Sequence, residues 1–134
     1  GRHTEAFLGL PDHIHAAVVA AYIAGALANP IDANDRAALI APWLSAEGKA
    51  AFYAQFGLAD EAFTAAFEPL LADIRCPVSV LWGTADPWIP LARGQALADA
   101  IGAALRPLDG LGHLPQLEDA ARLSAALDTA LRAA

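Results

Sequence analysis

The stretch Pro77-Val78-Ser79-Val80-Leu81-Trp82-Gly83 constrains the fold more than any other part of the chain. Between an entry proline and a closing glycine it is nearly continuous in apolar and β-branched residues. A strand with one wet face alternates apolar and polar side chains, whereas a run without alternation is covered on both faces, as in parallel sheets. Parallel neighbours need a crossover connection. "IPLARGQALADAIG" follows, with Pro90 near its start and Gly102 past its end, and predicts a helix. "ALRPL", residues 104–108, predicts a second strand, weakened by Pro107, which has no N–H for the ladder. A last helix is predicted from about Gln116 to Arg132, with Glu118 and Asp119 in its first turn and Leu123, Leu127 and Leu131 on one face. The second half therefore reads as strand–helix–strand–helix, the α/β class. Two strands are too few for a covered parallel sheet, and nothing before Pro77 reads as another, so an incomplete sheet is expected.

The first half reads as helical. Pro11 stands at a first helical position, and Ile14, Val18 and Tyr22 repeat at a spacing of four beside Val19, Ile23 and Leu27, until Asn29-Pro30 closes the helix. A short helix is expected over Asp35–Ile40. Ser45 caps a further helix through Phe56, with Phe52 and Phe56 on one face and Gly57 closing it; Asp60 caps one carrying Phe63, Phe67, Leu70 and Leu71. The expected division is a helical segment and link over residues 1–73, then an α/β part over 74–134.

Composition narrows the function. A net charge of −7, with Lys49 the only lysine, argues against a nucleic-acid partner, since phosphate binding needs a basic face. No apolar run approaches the ~18 residues that cross a bilayer, so no membrane partner is expected. Cys76 is the lone cysteine, which forbids an internal disulfide and points to a reducing, cytoplasmic setting; a buried small side chain before the strand is its expected role, ahead of a reactive thiol. His13 and His15 lie two apart and so face different sides of a helix, which argues against a metal pair, and no cofactor motif occurs. The chain contains no methionine and begins Gly1-Arg2-His3, as a processed chain or a piece of a longer one does.

Asp86 follows the first strand and His113 the second. In open parallel sheets, ligands bind beyond the carboxyl ends of the strands. Pro87 keeps Asp86 in an extended backbone, and Gly110 and Gly112 make the histidine loop permissive. Neighbouring strands lie about 4.8 Å apart, so the acid can reach the imidazole, fix its tautomer and stabilise its charged form. Taken singly, the aspartate also reads as a turn residue and the histidine as a surface one. The pair, one helix apart, is more specific than either.

"IRCPVSVLWGTADPWIPLARGQALADAIGAALRPLDGLGHLPQLED" resembles the C-terminal third of an α/β-hydrolase, in the branches with epoxide-hydrolase, dehalogenase, esterase and C–C-bond-hydrolase relatives. The likeness runs from Ile74 to Leu131: Pro77 and Val78 enter the strand, Gly83 and Asp86 match the acid turn, Gly112 and His113 the histidine turn, and Glu118 the later acid. Ala120-Ala121 depart from the pattern where a proline often begins the last helix. The resemblance implies Asp86 and His113 as catalytic groups of a nucleophile–histidine–acid triad, no cofactor, and a small, largely apolar substrate. "APWLSAEGKAAFYAQF" is similar to the cap of such enzymes, so Trp43, Phe52, Tyr53 and Phe56 are expected either to line the pocket or to pack a core, and Trp88 to border the site or wedge its loop. No serine stands in the G-x-S-x-G frame of this family's nucleophile. The nucleophile is therefore expected outside these 134 residues, in a missing N-terminal half of the same enzyme, and the chain alone is expected to be inactive and to self-associate. The competing reading is a non-catalytic helical and α/β module that binds a partner.

Overall fold

The computed structural model describes residues 4–58 and 60–133, so the opening Gly1-Arg2-His3 lies outside the described residues. The chain forms two compact units, one of residues 4–24 with Asp32–Ala66, the other of Gly25–Ile31 with residues 67–133.

The first unit is helical. α1 (Thr4–Leu8) leads to α2 (Asp12–Ala24), whose entry is set by Pro11: its carbonyl accepts from Ile14 N at 3.0 Å and His15 N at 2.9 Å. The buried residues of α2 are His15, Val19 and Ile23, again four apart, while Ile14 and Tyr22 stay exposed. α2 stops at Ala24 and not at Asn29-Pro30, because the carbonyl of Ala26 and both N–H groups of Asn29 bond within the other unit. α3 (Ala33–Ile40) is capped by Asp32, which accepts from Asn34 N at 2.7 Å, and passes at Pro42 into a 3-10 turn, Ala41–Leu44. α4 (Ala46–Gly57) starts where Ser45 Oγ accepts from Gly48 N at 3.0 Å.

Its Phe52 and Tyr53 join Val19 and Ile23 in the core of this unit. Phe52 meets Trp43, Tyr22, Tyr53 and Phe56 edge to face, with ring centres 5.2 to 5.6 Å apart, an arrangement worth about 0.5–1.5 kcal/mol per pair beyond burial. His15 is buried but fully satisfied. Its Nε2–H donates to the Trp43 carbonyl at 2.8 Å, and since a carbonyl only accepts, Nδ1 takes the Tyr53 O–H at 2.9 Å. Burial pushes the Tyr53 hydroxyl pKa up, which keeps that donor protonated. His13 is exposed, so the two histidines do different things.

Asp60 caps α5 (Glu61–Ala65), accepting from Ala62 N at 2.9 Å. The single helix expected through Leu71 is broken: residues Glu68–Asp73 form a separate 3-10 segment, because Pro69 has no N–H and its ring crowds the preceding turn.

The second unit holds β1 (Ser79–Gly83), α6 (Leu91–Ile101) and β2 (Ala104–Leu108). The strands are parallel, in register from Ser79 opposite Ala104 to Gly83 opposite Leu108. Among the described residues the sheet has these two strands, so Pro107 sits in a strand with an open edge, where a missing ladder donor is tolerated. α6 packs its buried Gly94 on the Trp82 indole, where a Cβ would lie 2.6 Å from the ring. Cys76 is exposed, contrary to the expected burial, because it lies in a bend ahead of β1, outside the paired strands. The last helix is also two pieces, α7 (Pro115–Glu118) and α8 (Ala120–Arg132). Asp119 breaks it by turning out of helical geometry (φ −156°, ψ 81°) and capping α8 at Arg122 N, 2.9 Å away. Leu127 and Leu131 are exposed, and Ala130 is the buried residue of α8. No described helix is long and apolar enough to cross a membrane.

Candidate active site

Two loops leave the carboxyl ends of β1 and β2 side by side, stitched together by backbone. Thr84 N donates to Leu108 O at 3.1 Å and Ala85 N to Leu111 O at 3.0 Å, while Thr84 Oγ1 accepts from Gly110 N at 2.8 Å. The approach is so close that a Cβ on Gly83 would lie 2.3 Å from the Gly112 carbonyl oxygen. Gly110 has φ +73°, a conformation that favours glycine; Gly112 has no positive φ and is needed for space alone.

Asp86 closes its own turn. Oδ1 accepts from Trp88 N and Ile89 N, both at 2.9 Å, leaving Oδ2 to face His113 Nδ1 at 2.9 Å. The aspartate side chain is only 5 % exposed and the histidine side chain 28 %, so the acid is shielded and the base reachable. Burial alone raises the Asp86 pKa, but the Ile89 N–H, the His113 ring, the Trp88 N–H and the charge of His113 outweigh it, and the carboxyl titrates below its ordinary range. An ionised carboxylate on Nδ1 fixes the proton there and leaves Nε2 with the lone pair, the tautomer of a general base.

Of the aromatic residues expected near a substrate, Trp88 lies against this pair, its ring centre 4.9 Å from that of His113 and 39 % of the residue exposed. Trp43 and Phe52 pack in the aromatic core of the first unit, with Phe52 only 2 % exposed. Sequence reasoning missed the role of the segment Gly25–Ile31. His113 N donates to Ala26 O at 3.0 Å, and Asn29 Nδ2 to Gly110 O at 2.7 Å. Glu118 accepts from Gly112 N at 3.0 Å and Asn29 N at 3.1 Å. Among the described residues no cluster of three or more histidine, cysteine or acidic side chains suits a metal ion.

No family model matches the chain, and no curated protein matches it. A solved structure does: an alpha/beta hydrolase fold protein from Burkholderia ambifaria, at 39 % identity and a TM-score of 0.88 over 94 % of this chain. The match takes in 47 % of that protein, so the present chain spans about half of its length. With sequence and backbone agreeing to that degree over nearly every residue, the chain belongs to the α/β-hydrolase superfamily.

Proposed function

We propose that Asp86 and His113 are the orienting acid and the general base of a hydrolase of the nucleophile–histidine–acid type, acting on a small, largely apolar substrate. The observation that carries this reading is the 2.9 Å bond from His113 Nδ1 to the shielded Asp86 carboxylate. His113 Nε2 takes the proton of the attacking group, or of water where the attacking group is itself a carboxylate, and returns it to the leaving group. Asp86 keeps its charge throughout and stabilises the imidazolium. The attacking residue and its oxyanion donors belong to protein beyond these 134 residues; no serine here has the required glycine frame, and the matched relative is about twice as long. Trp88 borders the bound substrate. The helical unit takes the part of the cap such hydrolases carry, with Trp43 and Phe52 as its packed frame.

The test is turnover by the complete protein on ester, epoxide, haloalkane and β-diketone probes. On any probe the wild type cleaves, His113→Ala and Asp86→Asn should each lower kcat by roughly three to four orders of magnitude. Near-normal turnover in either variant removes that residue from the mechanism.

A further inference from the structure

Two successive peptide N–H groups of the histidine loop, those of Gly112 and His113, are held by a single carboxylate and by the segment 25–31. His113 N goes to Ala26 O at 3.0 Å, and Gly112 N goes to Glu118 Oε2 at 3.0 Å. The same carboxylate also accepts from Asn29 N at 3.1 Å, Asn29 Nδ2 at 2.8 Å and Ala28 N at 3.3 Å. Four donors from two chain segments thus converge on one side chain. There is no slack around it: a Cβ on Gly112 would stand 2.4 Å from Glu118 Oε1 and 2.6 Å from Ala28 N. Across the loop, Asn29 Nδ2 also reaches Gly110 O at 2.7 Å.

We propose that Glu118 is a positioning residue, whose carboxylate clamps the histidine loop to the segment Gly25–Ile31 and thereby sets the His113 ring against Asp86. The loop has two anchors. The acid turn holds Gly110 N and Leu111 O; Glu118 and the segment hold Gly110 O, Gly112 N and His113 N. Without the carboxylate, Gly112 N loses its acceptor, and the residue next to the catalytic imidazole is free to swing about its glycine neighbour. A shift of about 1 Å in a catalytic group costs on the order of a hundredfold in rate. The inference rests on the hydrolase reading for its kinetic consequence, but its geometric core can be read without turnover.

The experiment follows the ring nitrogens of His113 by long-range proton–nitrogen NMR in the complete protein, comparing wild type with E118A, E118Q and N29A, together with kcat and KM. Wild type should show the Nδ1–H tautomer imposed by Asp86. E118A should move the ring toward the mixed tautomers of a free imidazole and lower kcat by about ten- to a hundredfold with KM nearly unchanged. E118Q keeps one oxygen for the three donors that meet at Oε2, so it should recover most of both signals. If E118A does not fold, N29A, which removes two of the side-chain bonds, should shift the tautomer in the same direction. A wild-type tautomer in every folded variant overturns the clamp, whatever the kinetics. A shifted tautomer with no His113-dependent turnover sustains the clamp and sinks the hydrolase reading instead.

Discussion

The two oxygens of Asp86 are divided between building a turn and holding a base. Oδ1 takes the backbone donors of Trp88 and Ile89, while Oδ2 takes His113. Burial works against the ionised form, yet the three donors prevail and the pKa falls below its ordinary value of 3.8. The sign for stability follows. A carboxyl that ionises more readily when folded contributes fully above its unfolded value and loses that contribution as pH drops through the lower native one. Urea unfolding of wild type and Asp86→Asn should therefore show a stability gap that narrows as pH falls below the unfolded carboxyl value of about 4. A gap that stays level as the pH is lowered further would mean the carboxylate is no better off folded than unfolded.

At the scale of elements, β1 and the histidine loop meet at Gly83, where a methyl group would sit 2.3 Å from one carbonyl oxygen and 2.4 Å from another. Gly83→Ala should destabilise by about 1–3 kcal/mol in thermal or urea unfolding, as overpacking does. Gly57→Ala, at the end of α4 with nothing within 4 Å of the new methyl, should stabilise by about 0.5–1 kcal/mol through the gain in helix propensity. Equal effects of the two would deny the close approach. The strands, α6 and the caps at Ser45 and Asp60 are legible in the sequence because their signals are local: an apolar run, a proline before, a glycine or an oxygen at the terminus. That Asp86 and His113 lie at neighbouring strand ends is legible for the same reason. The breaks at Pro69 and Asp119 are local too, but apolar spacing continues across them and masks them. The end of α2 and the parts played by Ala26 and Asn29 are not legible, because their partners lie up to 89 residues away and leave no pattern nearby.

For the molecule as a whole, the described sheet has two parallel strands, fewer than a parallel sheet needs for independent stability. Phe63, Leu70 and Leu131 are each more than 60 % exposed. Open strand edges and apolar surface invite pairing between copies. Sedimentation of the 134-residue chain should accordingly show a mass that rises with concentration; a constant 13.9 kDa across that range would contradict it. The segment Gly25–Ile31 carries a further consequence. Because the polypeptide leaves the first unit at Ala24, contributes seven residues to the second and returns at Asp32, no cut at one peptide bond separates the two units. Expressing residues 67–134 by themselves would remove the acceptor of the His113 N–H and two of the residues that donate to Glu118, so dissection of this protein calls for a linked or co-expressed peptide rather than a simple truncation.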